Sequence, residues 1–171
     1  MAIDCILDSG YSLGCRTGKG GVKTVYLGTF SGTTSYSVDP DGIVTGATGY
    51  NQFFEFEAPS ETLSAMDTGI YSKDAYHQLY SQTVSAKIFA TTQTERDLLY
   101  LLGSYRMFAI AEDNNGNYFL YGRNNGLWAT EGEINLGTTF EDANLITFSV
   151  AGKESYPAVQ VNSTLIATLI A

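Results

Sequence analysis

One stretch, residues 105–121, constrains the fold of this chain more than any other. Its first part, residues 105–113, would be apolar on both faces as an extended strand, with Met107, Ala109 and Ala111 on one face and Phe108 and Ile110 on the other. Asn115-Gly116 predicts a two-residue type I′ turn, because both central positions of that turn need a positive φ. We therefore expect a hairpin of strands 105–113 and 117–121, with Ala111 opposite Leu120 and Ile110 opposite Tyr121. A strand that is apolar on both faces must be covered on both, so the hairpin predicts a sheet inside a layered fold.

Further segments repeat with a period of two, as half-buried strands do. They are residues 23–30, 50–58, 74–90, 127–136 and 144–150. The chain has 12 Tyr, 9 Phe and 18 Gly but only 3 Pro, a composition that favours strands joined by turns. A length of 171 residues supports one domain with its own core. We predict a mainly β fold of two packed antiparallel sheets, a sandwich or barrel, over residues 1–171.

One short flanking α-helix is expected near residues 93–102. Thr92 and Glu95 have the spacing of a capping box, in which each residue's side chain bonds the other's backbone amide. Gly103 is expected to end the helix in the left-handed conformation. Leu98, Leu99 and Leu102 share one face, so this helix should pack against a sheet.

The net charge of −9 argues against a protein that wraps nucleic acid, because phosphates would be repelled. No basic residue occurs between Arg123 and Lys153, whereas Glu131 and Glu133 lie two apart on one strand. Their side chains should point to the same side. A solvated acidic wall is a better interpretation of this pair than a glycosidase carboxylate pair.

The two ends of the chain have unusual compositions. Residues 10–21 form a basic, glycine-rich segment with Arg16 and Lys19, which predicts an extended arm or a surface loop. Residues 162–171 have no charge and are apolar on both faces, which predicts a C-terminal strand that is inside its own sheet or covered by another subunit. Two cysteines, no signal peptide and no membrane-spanning run indicate a reduced protein that folds in the cytosol.

No motif predicts catalysis, a cofactor or a metal ion. The glycine-rich segment has Leu13 and Gly20 where a phosphate-binding loop needs Gly and Ser or Thr. His77 is the only histidine, and we interpret it as an ordinary strand residue. The run 113–117 lacks the spacing of an EF-hand and is better explained as a turn. A tyrosine-rich sandwich that stacks on sugars remains an alternative, although only Trp128 offers the ring that such sites favour.

The C-terminal half contains the run Met107 to Gly122, followed by Asn125-Gly126-Leu127, Glu131-Gly132, Gly137-Thr138, Ile146-Thr147-Phe148 and Pro157. In this pattern of strands, turns and glycines, about residues 84–161 resemble phage tail structural proteins, and tail tube proteins in particular.

The resemblance implies a virion protein of the phage tail that folds in the host cytoplasm. Such subunits form homo-oligomeric rings, hexameric in this family, that stack into a tube through which DNA passes without sticking. They contact other tail proteins but no membrane. It makes Glu131 and Glu133 candidate lumen acids. It also suggests inter-subunit contacts for the arm residues Arg16 and Lys19 and for the C-terminal residues Leu165, Ile166, Leu169 and Ile170. A tail terminator, adaptor or baseplate ring protein of related fold is the alternative within the same class.

Overall fold

A computed structural model describes residues 10–12, 18–89 and 92–170. In chain order its first strands are β1 (Val22–Thr29), β2 (Ser35–Val38), β3 (Val44–Thr48), β4 (Phe53–Glu57), β5 (Ser64–Ser72) and β6 (His77–Phe89). The helix α1 (Gln93–Ser104) follows, and then β7 (Met107–Asp113), β8 (Tyr118–Tyr121), β9 (Trp128–Asn135), β10 (Leu145–Glu154) and β11 (Val159–Val161). The described chain closes with the helix α2 (Ser163–Ile170).

These strands form two sheets, as the sequence predicted. The seven-stranded sheet has the order β2-β3-β11-β8-β7-β1-β4, and the four-stranded sheet has the order β5-β6-β10-β9. Neighbouring strands are antiparallel except β11 and β3, which run parallel through the pair Val161 and Val44. The two sheets pack face to face as a sandwich and do not close into a barrel.

The seven-stranded sheet has a core on each of its faces. Between the two sheets lie side chains from β1, β7, β6 and β10, among them Val25, Ala109, Val84 and Phe148. On the opposite face, Phe108 and Ile110 of β7 pack with residues of α2. The alternation along β7 therefore divides its side chains between two apolar layers, which confirms the prediction of a strand covered on both faces.

The β7–β8 hairpin differs from its predicted register by one residue. Ile110 lies opposite Leu120, and Ala111 lies opposite Phe119. The Asp113 amide donates to the Asn117 carbonyl at 2.9 Å, which leaves a three-residue loop rather than the predicted two-residue turn. Gly116 takes the positive φ of +83° that this loop type needs. The Asp113 carboxylate selects the longer loop, because Oδ1 accepts the amides of Asn115 and Asn117, each at 2.8 Å.

The capping box of α1 is present. The Thr92 amide donates to Glu95 Oε2 at 2.7 Å, and the Thr92 side chain accepts from the amide of Glu95. The Thr92 hydroxyl also donates to Glu95 Oε2, and this bond, together with that from the Thr92 amide, lowers the pKa of Glu95 because both favour its charged form. The helix extends through Gly103 to Ser104, so it does not end at Gly103 as predicted. Leu98, Leu99 and Leu102 pack against the core between the sheets, as expected.

The predicted C-terminal strand is wrong, because residues 163–170 form the helix α2. Asn162 begins it: its Oδ1 accepts the Thr164 amide at 3.0 Å, and its carbonyl accepts the Leu165 amide at 3.0 Å. Leu165, Ile166 and Leu169 then recur with helical spacing on one face and are buried. That face covers the outer side of the seven-stranded sheet, where Phe53 and Phe108 would otherwise be exposed.

Candidate assembly surfaces

The outer face of the four-stranded sheet, opposite its core face, is polar at its centre. Two adjacent cross-strand rows read Ser85, Ser149 and Glu131, and Lys87, Thr147 and Glu133. The hydroxyls of Ser85 and Ser149 hydrogen-bond at 2.7 Å, which fixes them on a common side. Phe148 points the other way, into the core, where its ring centroid lies 5.9 Å from that of Phe56. The middle of this face therefore carries hydroxyls and scattered charges, whereas the exposed Met66 and Phe89 lie on the same face nearer its margins.

The two edges of this sheet are β5 and β9, and both are accessible. All eight residues of β9 are exposed, and β5 alternates between exposed and half-buried residues. Because each strand is antiparallel to its neighbour, β5 and β9 run in opposite directions. An edge β9 from one copy can thus add to an edge β5 of another in the antiparallel sense that the sheet already uses.

Both edges carry features that restrict which strand can pair with them. The ladder of β9 shifts register where Ser149 and Val150 meet it, which marks a bulge. On β5, Asp67 turns inward, and its Oδ2 accepts the Ala158 amide at 3.0 Å. Burial raises the pKa of Asp67, against the lowering effect of that hydrogen bond. Bulges and inward charges discourage indiscriminate edge pairing, so a partner must match this edge specifically.

Glu131 and Glu133 lie on β9 and are exposed, as the sequence predicted. They occupy the outer face together with Lys87, which is in the same row as Glu133. Lys153 of β10 is also on this face, two residues beyond Ala151. The strand is acidic, but the face as a whole has mixed charge.

The root of the glycine-rich arm is tied to the β7–β8 loop. The Lys19 amide donates to Asn115 Oδ1 at 2.8 Å, and Asn115 Nδ2 donates to the Lys19 carbonyl at 2.9 Å. Asn114 Nδ2 donates to the Gly20 carbonyl at 2.7 Å. The backbone of Lys19 is thus fixed within its own chain, although its side chain is exposed and free to meet a neighbour. Arg16 lies outside the described residues.

Three of the four C-terminal candidates for inter-subunit contact are buried in their own chain. Leu165 is 8% exposed, Ile166 5% and Leu169 2%. Ile170 is half-buried beside the same cluster. The interpretation of these residues as a surface for another subunit assumed a strand, and the helix turns the apolar side chains inward instead.

The strand β5 was not predicted from the sequence, although it is the edge that makes the four-stranded sheet complementary to itself. Its residues Ser64, Met66, Thr68 and Ile70 face outward, while Ala65 and Asp67 face the core. An aspartate at an inward position masks the alternation that marks a strand. The surrounding turns, around Ser60 and Asp74, were the remaining local signal.

The alternative sites receive little support from the geometry. The Arg106 guanidinium lies 4.3 Å from the Phe30 ring centroid and 5.7 Å from that of Trp128, so a cation already contacts the tryptophan. His77 is an exposed residue at the start of β6, paired with Ser72. Among the described residues, no group of three or more His, Cys, Asp or Glu side chains is placed to hold a metal ion. No helix in the described ranges is both long and apolar enough to cross a membrane.

Buried tyrosines make stability sensitive to alkaline pH. Burial, with a contribution from the Asp67 carboxylate, raises the pKa of Tyr121 to about 12. Burial also raises the pKa of Tyr26, Tyr36 and Tyr118. Because the unfolded chain loses these protons first, the stabilisation is complete below the ordinary value of 10.0 and is lost as the pH rises through about 12.

We therefore expect the urea midpoint to fall steadily over that alkaline range. Tyr121→Phe removes one of the groups responsible, so its midpoint should fall less steeply with pH than that of the wild type. Urea titrations of both proteins at a series of alkaline pH values measure the difference. Equal slopes would show that Tyr121 titrates normally in the folded protein.

Comparisons of the chain with models of known protein families, with curated proteins and with solved structures gave no significant match. The remaining indications of function are the surfaces of the protein itself. These are a polar sheet face, two complementary edges and an arm rooted at a hairpin.

Proposed function

We propose that this protein is a structural component of a phage virion that self-assembles into stacked rings, as the tube of a tail. The observation that carries the proposal is the four-stranded sheet with two accessible edges of opposite direction, eight and nine residues long. Pairing β9 of each copy with β5 of the next joins the sheets into one continuous sheet. Such a head-to-tail contact uses two different surfaces, and it closes into a ring when its rotation allows.

The outer face of the sheet is suited to line the ring. Its Ser and Thr hydroxyls and balanced charges offer no basic stripe to phosphates, and the chain as a whole has a net charge of −9. In the assembled tube, Glu131 and Glu133 face the lumen, where they keep DNA from adhering. The seven-stranded sheet and α2 form the outer layer of each subunit. The resemblance of residues 84–161 to tail tube proteins supports the same arrangement.

Assembly of the purified full chain tests the proposal directly. We expect rings of one diameter under negative stain and a matching mass by light scattering. Stacks of rings indicate a tube, whereas single rings indicate a terminator or adaptor. A protein that stays monomeric at high concentration would overturn the proposal.

Two adjacent proline variants, Glu133→Pro and Ile134→Pro, test the edge. Successive backbone N–H groups of a strand point to opposite sides, so one variant removes an outward N–H and the other a bond to β10. The variant that removes the outward N–H should keep the urea midpoint of the wild type and still lose ring formation. Rings formed by the variant with the unchanged midpoint would exclude β9 as the joining edge.

A further inference from the structure

A fully exposed phenylalanine stands at the tip of the loop between β9 and β10. Phe140 is fully exposed and packs against no other ring among the described residues, and the nearby Leu136 is also exposed. Glu141 follows it and forms no ion pair among the described residues. We call the pair Phe140 and Glu141 the knob.

The loop that carries the knob is held in one conformation. Asp142 Oδ2 accepts the amides of Thr138 and Thr139, each at 2.7 Å. Asn135 Oδ1 accepts the Gly137 amide at 2.8 Å, and Gly137 has a φ of +77°. The hydrogen bonds from these two amides lower the pKa of Asp142, so its carboxylate stays charged and keeps both bonds at neutral pH. A fixed loop loses little conformational entropy when it binds, which favours a contact surface.

A groove that could receive the knob lies at the other end of β10. Its volume is about 480 Å³, and its apolar walls include Val38, Ile43, Pro157 and Val159. The groove is open to solvent, and its volume leaves room for a phenyl ring against these apolar side chains. Arg123 also lines it and forms no ion pair with a described residue. The Asp41 carboxylate is another lining group, more than 4.0 Å from that guanidinium.

Buried polar side chains hold both walls of the groove. Glu154 is 2% exposed, and its Oε1 accepts the amides of Asn124 and Asn125 at 3.0 and 2.7 Å, beside Arg123. Gln82, 1% exposed, accepts the Gly122 amide at 2.8 Å and donates to the Tyr156 carbonyl at 3.3 Å on the opposite wall.

The same buried carboxylates lower the stability of the folded chain. Among the described residues, Glu154 Oε2 and Asp67 Oδ1 are buried without a hydrogen-bond partner, whereas the other oxygen of each carboxylate accepts at least one backbone amide. A buried polar oxygen without a partner is unfavourable, so these side chains reduce stability at this end while their bonded oxygens fix the segments beside the groove. Preorganised walls are what a binding surface requires.

From these observations we infer that the knob of one copy binds in the groove of a second copy. Phe140 enters the apolar part, and Glu141 pairs with Arg123. The knob precedes β10 and the groove follows it, so the two lie at opposite ends of a ten-residue strand, about 33 Å apart at about 3.3 Å per residue. The contact therefore repeats along the strand direction, as an open head-to-tail series does. The inference extends the proposed function by naming how rings stack, yet the contact itself needs only two copies.

Charge reversal tests the pairing. Glu141→Arg and Arg123→Glu should each raise the concentration needed for end-to-end association by more than about tenfold, because like charges then meet. The double variant Glu141→Arg with Arg123→Glu should restore it. Phe140→Ser should weaken association similarly, with an unchanged urea midpoint because the ring is exposed. Wild-type association by either charge variant alone, or a double variant as weak as the singles, would overturn the inference.

Disulfide trapping separates this contact from ring formation. In a Cys5→Ser and Cys15→Ser background, Glu141→Cys with Arg123→Cys should give a ladder of intermolecular disulfides on a non-reducing gel. The control pairs Glu141→Cys with Lys87→Cys, an exposed residue of the sheet face, and should give none. A ladder without rings under negative stain supports the contact and refutes the proposed rings. Rings without a ladder refute the contact and leave the rings in place.

Discussion

Deletion of residues 163–171 is expected to unfold the protein. The deletion removes Leu165, Ile166 and Leu169, which are at most 8% exposed and cover the outer side of the seven-stranded sheet. Burying each such side chain contributes about 1.5–3 kcal/mol, so the loss is about 5–9 kcal/mol. Total stabilities of domains are about 5–15 kcal/mol, and the loss is of the same size.

The hydrogen bonds at the end of α2 would be lost too. Gln52 Nε2 donates to the Ile170 carbonyl at 3.0 Å, and Tyr50 Oη donates to the Thr168 carbonyl at 3.3 Å. Solubility, far-ultraviolet circular dichroism and urea titration of the truncated chain measure the outcome. Ala167→Ser, on the exposed side of α2, is the control and should change the urea midpoint little.

A different result would revive the interpretation of the C-terminal segment as a contact for another subunit. A truncated chain with the urea midpoint of the wild type, but without self-association, would mean that α2 stabilises an assembly and not its own fold. The deletion thus separates the two explanations of an uncharged, apolar terminus.

The error over this segment has a physical origin. In residues 163–171, apolar pairs recur every four positions, a spacing that gives one helical stripe or a strand apolar on both faces. Asn162 was the local signal that favours the helix, since its side chain can cap the first turn. The uncovered face of the seven-stranded sheet supplies the remaining reason, and that face exists only once distant strands have paired.

Where sequence prediction succeeded, the information was local. The two faces of β7 and the capping box at Thr92 and Glu95 depend on spacings of a few residues. The groove depends instead on segments around Val38, Arg123 and Pro157, which are far apart in the chain. They meet through the short strand β11 and its single parallel pair with β3, a contact that no periodicity signals. The sequence shows that Phe140 and Glu141 are adjacent, but it does not show that the phenylalanine is fully exposed.

The second large effect is expected from Phe108→Ala. Phe108 is completely buried on the inner strand β7. Its ring centroid lies 4.8 Å from that of Phe30, 6.0 Å from Tyr36 and 6.2 Å from Phe53. Truncating a buried phenylalanine costs about 3–5 kcal/mol, because the lost transfer energy adds to that of the cavity left behind. Neighbours from separate strands, backed by a helix, cannot all move in to fill the space.

Urea titration followed by circular dichroism gives the free energy of unfolding of Phe108→Ala. Phe54→Ala is the matched control, since Phe54 is 61% exposed and should change the free energy of unfolding by no more than about 0.5 kcal/mol. A loss below about 1 kcal/mol at Phe108 would mean that the layer beneath α2 is loosely packed. The expected burial of α2 would then fail with it, because Phe108 and Leu169 belong to the same cluster. The Phe108 variant and the C-terminal deletion therefore test one packing layer from its two sides, and they must agree.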